Sequence, residues 1–120
     1  MATIKAYSDL QQSKKLEEIL PIESADMLWE QHGAEPYVTI KPWTTIGKSI
    51  GCHCLSCWSL VALLEILDYP QLSKDKLGSG KEGWMVSVYP NDCRYDSCWY
   101  DNPVDACVAM IERLHKLKML

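Results

Sequence analysis

A chain of 120 residues, 48% hydrophobic and 23% charged, has the size and composition of one globular domain spanning 1–120, able to bury a core without covalent staples. Its net charge of -4 weighs against nonspecific affinity for phosphate backbones, and the longest apolar run, within Leu60 to Leu67, is too short for a membrane span. Nucleic acid and membrane are therefore not expected partners, and the polar opening, Met1 to Lys15, points to a soluble cytoplasmic protein. A mature form cut from a secreted precursor would read the same way, and its six cysteines could then pair as disulfides.

The first predicted element is a helix from about Asp9 to Leu20, with Ser8 and Gln11 at capping-box spacing and Pro21 after its end. Met27 to Gln31 and Tyr37 to Lys41 follow as a hairpin turning at His32-Gly33, since Val38 and Ile40 alternate with polar neighbours. The run Cys52-His53-Cys54-Leu55-Ser56-Cys57 then leads into a second helix, with Ser56 as its N-cap and Leu60, Leu63, Leu64 and Leu67 on one stripe. Tyr69-Pro70 ends it.

Gly78-Ser79-Gly80-Lys81 is superficially like a phosphate loop. It lacks the upstream Gly and the following Ser or Thr, and no helix comes after it, so it reads as a connection. A second hairpin joins Trp84 to Tyr89 with Arg94 to Tyr100 through Pro90-Asn91-Asp92. Asn102 then caps a helix with Pro103 in its first turn, and Val104, Cys107, Val108, Ile111 and Leu114 mark its apolar face. The order helix, hairpin, helix, hairpin, helix predicts an α+β two-layer domain, with an antiparallel sheet of about four strands and about three helices on one face. Cys57-Trp58 and Cys98-Trp99 recur near the last two helix starts and suggest an internal repeat.

Cys57-Trp58-Ser59-Leu60-Val61-Ala62-Leu63-Leu64, Asp101-Asn102-Pro103-Val104-Asp105-Ala106-Cys107 with Leu114-His115-Lys116-Leu117, and the opening Lys5-Ala6-Tyr7-Ser8-Asp9 carry a resemblance, joined by the run from Glu17 to Met27. Through these segments the chain resembles small uncharacterised proteins found on phages and mobile elements of gut Bacteroidales bacteria. The resemblance implies a genomic setting and no mechanism. It does not extend over Pro42 to Leu55 or Ser73 to Ser97, where Cys52, Cys54 and Cys93 lie, or over Cys98 just beyond.

Two kinds of chemistry compete for the remaining signals. Cys54 and Cys57 with Cys93 and Cys98 offer four soft ligands for a tetrahedral zinc, with His53 or Cys52 as substitutes, or a redox-responsive thiol set. Cys107 falls on a core stripe, where a free thiol packs as a small hydrophobe. Nucleophilic catalysis by Cys57 at a helix start lacks a residue to orient a base, so an enzyme is not expected. Five Trp, six Tyr and no Phe mean that every aromatic has a polar handle. Trp43, Trp99 and Tyr100 are the candidates for protein-binding anchors, such residues burying much area with few rotamers to freeze. The favoured reading is a non-enzymatic accessory protein without cofactor that binds a host or phage protein, with a homodimer left open; zinc binding or thiol chemistry is the alternative.

Overall fold

The computed structural model describes residues 5–31, 37–40, 53–78 and 80–120. Helix α1 (Leu10–Ile19) is closed by a reciprocal capping box: Gln12 N–H donates to Asp9 Oδ1 at 2.8 Å and Asp9 N–H donates to Gln12 Oε1 at 3.1 Å. The box sits one residue later than Ser8 and Gln11 would place it. Ser8 is fully buried, and its hydroxyl instead accepts the Trp58 N–H at 3.1 Å and shares a 2.8 Å hydrogen bond with Ser13.

Strand β1 (Met27–Gln31) is the centre of the first sheet, flanked by β2 (Tyr37–Ile40) and by β3 (His53–Cys57), both antiparallel to it. The turn at His32-Gly33 lies outside the described residues. β3 corrects the expected helix start. Helix α2 (Leu60–Ile66) begins later, with Ser59 as N-cap accepting the Ala62 N–H at 3.2 Å. Both serines are competent caps, and Asp26 decides between them: it accepts the Ser59 N–H at 2.9 Å and the Ser59 hydroxyl, while Ser56 and Cys57 pair with Leu28 and Met27. Cys57 therefore stands at a strand end and not in a helical turn.

The second sheet has the order β4 (Gln71–Lys76), β5 (Glu82–Val88), β6 (Tyr95–Asp96), again antiparallel. The Gly78 to Lys81 connection is the β4–β5 hairpin loop. Leu77 N–H donates to Lys81 O and Gly80 N–H to Leu77 O, each at 2.8 Å, and Gly80 holds a φ of 86° that a Cβ would strain. Between β5 and β6 the loop is Asn91-Asp92, both left-handed (φ 53° and 63°), with Cys93 N–H donating to Pro90 O at 3.1 Å. Paired positive φ values match the right-handed twist of a hairpin's strands.

Helix α3 (Pro103–Lys116) has the predicted cap, Asn102 Oδ1 accepting the Asp105 N–H at 2.8 Å, and its whole predicted stripe is buried. It lies against β5, α2 and α1, completing a two-layer α+β domain of helices on antiparallel strands. The strand orders of the two sheets differ, one having its first strand in the middle and the other being a meander, so the two units are not copies in connectivity. Among the described residues no helix is long and apolar enough to cross a membrane.

Candidate functional site

The thiols were the strongest chemical signal in the sequence, and those that are described are spread over different elements and differ in exposure. Cys57 is fully buried; its Sγ donates to Ser8 O at 3.4 Å and accepts from the Ser8 hydroxyl at 3.7 Å. Burial pushes its pKa up, outweighing the stabilisation that the Ser8 and Ser13 hydroxyls offer a thiolate. Cys107, in an apolar setting, is pushed up to about 12 by burial alone. In both, burial opposes the thiolate that a nucleophile requires. Cys54 lies on β3, where the chain is extended and paired with β1, a different backbone from the tight turn of a zinc knuckle. Cys93 and Cys98 are exposed at the second sheet. Among the described residues no group of three or more His, Cys, Asp and Glu side chains could hold a metal ion. Cys52 and Trp43 lie outside the described residues.

The most polar cluster ties two helix starts together. Lys5 Nζ donates to Asp9 Oδ2 (2.9 Å), Gln12 Oε1 (2.7 Å) and Asp105 Oδ1 (2.9 Å), and Gln12 Nε2 donates to Asp105 Oδ1 (2.7 Å). Burial works against each charge, but the hydrogen bonds outweigh it, raising the Lys5 pKa and lowering those of Asp105 and Asp9. Two carboxylates near the first turns of α1 and α3, bridged by one ammonium, make a structural lock.

The second sheet has a different character. On β5, Val86 and Val88 are fully buried toward the helices, and Trp84 shares their side by strand alternation. The opposite face carries Gly83, Met85 and Ser87. Leu77 folds over Gly83, its Cδ1 3.0 Å from where a Cβ would stand. Ser87 donates to Asp96 Oδ1 at 2.6 Å, and Arg94 Nε donates to the same oxygen at 2.8 Å; both hydrogen bonds hold the Asp96 carboxyl below the usual range.

The register places Trp99 on that opposite face. Ser97 N–H donates to Val86 O at 2.9 Å; next along, Trp84 and Tyr100 exchange both main-chain bonds, at 2.7 and 2.8 Å. Between these contacts β5 contributes only Met85, whereas the partner segment contributes Cys98 and Trp99, which defines a β-bulge. The inserted residue returns Tyr100 to the helix side, where it packs against the core, and leaves Cys98 and Trp99 on the side opposite the helices with Met85. Trp99 is 39% exposed, whereas Trp58 is fully buried, its Nε1–H donating to Ser24 Oγ at 2.9 Å. Of the two aromatics paired in the sequence reading, Trp99 is thus the surface residue and Tyr100 a structural one. Met85 was missed, because the strand pattern gives its alternation but not what lies opposite it.

No family model matches the chain, and no match to it is found among curated proteins or solved structures.

Proposed function

We propose that this chain is a small non-enzymatic binding protein, an accessory factor of a phage or mobile element whose partner is a host or phage protein. The observation that supports this reading is the bulge gathering Met85, Cys98 and Trp99 on the sheet face away from the helices, with the Trp99 ring exposed. A large aromatic beside a flexible thioether, on a rigid strand pair, is a low-entropy anchor for a protein interface. The buried thiols and the Lys5 network are occupied in holding the fold, and the binding reading needs nothing from them.

Affinity capture from host lysate tests it. Trp99→Ala, with its fold verified by circular dichroism, is expected to lose the captured protein, as truncating an anchor costs about 2 kcal/mol or more of binding. Cys98→Ser is expected to retain it. If Trp99→Ala captures normally while Cys93→Ser and Cys98→Ser do not, the interface reading gives way to thiol or zinc chemistry.

A further inference from the structure

Of the sheet edges at β3, β6 and β4, main-chain hydrogen bonds leave β4 open. At β3, the segment Ala6 to Ser8 covers the strand's continuation: Ser8 N–H donates to Trp58 O (2.9 Å) and Leu60 N–H donates to Ala6 O (3.0 Å). Glu17 Oε2 accepts the Ser56 N–H (3.3 Å). At β6, Arg113 Nη1 donates to the outward Asp96 carbonyl at 2.9 Å. β4 has no such cover. Leu77 bonds to Lys81 across the hairpin, so alternation turns Asp75, Ser73 and Gln71 toward β5 and Leu72, Lys74 and Lys76 away from it. β5 agrees: Trp84 and Val86, which oppose Lys74 and Leu72, bond to Tyr100 and Ser97 on their other side. Lys76 N–H is satisfied by Asp75 Oδ1 at 2.8 Å, whereas no hydrogen bond among the described residues reaches the outward groups of Leu72 or Lys74.

We infer that this edge pairs with β4 of a second copy of the chain, antiparallel across a two-fold axis at Ser73. Only residues with outward main-chain groups can bond across the axis, and having at least two such pairs within β4 limits the registers to centres at Ser73, Lys74 or Asp75. A centre at Lys74 opposes Lys74 to its own copy. A centre at Asp75 opposes Asp75 to its copy and Lys74 to Lys76. Like charges directly opposite are destabilising, so both are disfavoured. The centre at Ser73 opposes serine to serine, Leu72 to Lys74 of the second copy, and Gln71 to Asp75 of the second copy. Each pair is neutral or complementary. Gln71 is ready for that role, since its Oε1 accepts from Tyr89 Oη at 3.3 Å and its amide N–H groups remain to donate to the carboxylate. Lys74 is drawn back from the axis by Glu82, at 3.1 Å, and by the Trp84 ring, at 5.3 Å. The result is one sheet running β6, β5, β4 and then β4, β5, β6 of the second copy.

Sedimentation equilibrium over a concentration series, with cysteine cross-linking for register, tests the inference. With Cys52, Cys54, Cys93 and Cys98 changed to Ser, Ser73→Cys is expected to give a disulfide-linked dimer on oxidation, since its two copies meet at the axis. Gln71→Cys and Asp75→Cys are expected to cross-link when mixed but not alone. Lys74→Pro removes an outward donor, which an edge strand tolerates, together with the exposed Lys74 contacts to Glu82 and Trp84, and is expected to raise the dimer dissociation constant by at least about tenfold. Should that variant fail to fold, Ser73→Lys places like charges at the axis and is expected to have the same effect. A chain that stays monomeric at millimolar concentration overturns the inference, as does a dimer indifferent to Lys74→Pro and Ser73→Lys, or self-cross-linking by Asp75→Cys equal to that by Ser73→Cys.

Discussion

β3 and β4 each border a three-stranded sheet, and the chain treats them in opposite ways. Beside β3 run the residues leading into α1, with Ser8 buried at their centre, taking the Trp58 N–H and touching the Cys57 thiol, while Trp29 Nε1–H donates to the Ser8 carbonyl at 3.1 Å. Beside β4 there is no comparable cover among the described residues, and across that sheet the bulge turns Trp99 outward. The contrast teaches that similar strands become scaffold or surface according to what the rest of the chain lays against them. A strand edge whose main-chain groups are satisfied internally has little left to offer a partner.

The same residue type in the two regions gives the largest test. Trp58→Ala is expected to cost about 3 to 5 kcal/mol in denaturant unfolding, because a fully buried indole and its hydrogen bond to Ser24 are lost together. Trp99→Ala should change stability by less than about 1 kcal/mol. Comparable losses would mean that Trp99 belongs to the core and that the two regions do not differ as described.

The two buried thiols sharpen the comparison at alkaline pH. Folding raises the Cys107 pKa from the ordinary 9.0 to about 12, so the unfolded chain releases this proton first as pH rises. Its contribution is complete below pH 9.0 and is lost as pH climbs toward about 12, at roughly 1.4 kcal/mol per pH unit. Urea titrations at several pH values should show a flatter decline in Cys107→Ala than in the parent. Cys57→Ala should flatten it less, because the hydroxyls of Ser8 and Ser13 soften the shift at that thiol.

The smallest effect concerns the loop between β5 and β6. Asp92 pays a steric penalty at its φ of 63° that glycine does not, so Asp92→Gly is expected to stabilise the protein by about 0.5 to 1 kcal/mol. Thermal unfolding would show this as a midpoint rise of a few degrees. A fall would mean that the Asp92 side chain supports the hairpin through more than its backbone.

Much of the fold was legible because its signals are local. The Asn102 cap and the Val104 to Leu114 stripe are set within a few turns of one helix, where a short side chain meets nearby amides and apolar residues recur on one face. The alternation of Trp84, Val86 and Val88 likewise lies within one strand. The polar run Gln71 to Lys76 carries no such pattern, and it is a strand because β5 supplies its partners. Ser56 and Ser59 have equal local claims to cap α2, and the choice falls to Asp26, thirty-three residues from Ser59.

The sequence by itself therefore determined that three helices form, with the cap and apolar face of α3, and placed the strands of two hairpins, since propensity, capping and periodicity act between near neighbours. Tertiary structure alone decided that Cys57 is buried on a strand, that Trp99 and Tyr100 point to opposite faces, and that β4 keeps an open edge. Those outcomes depend on register, and register is fixed by main-chain hydrogen bonds between segments far apart in the chain, where one inserted residue reverses every side chain beyond it.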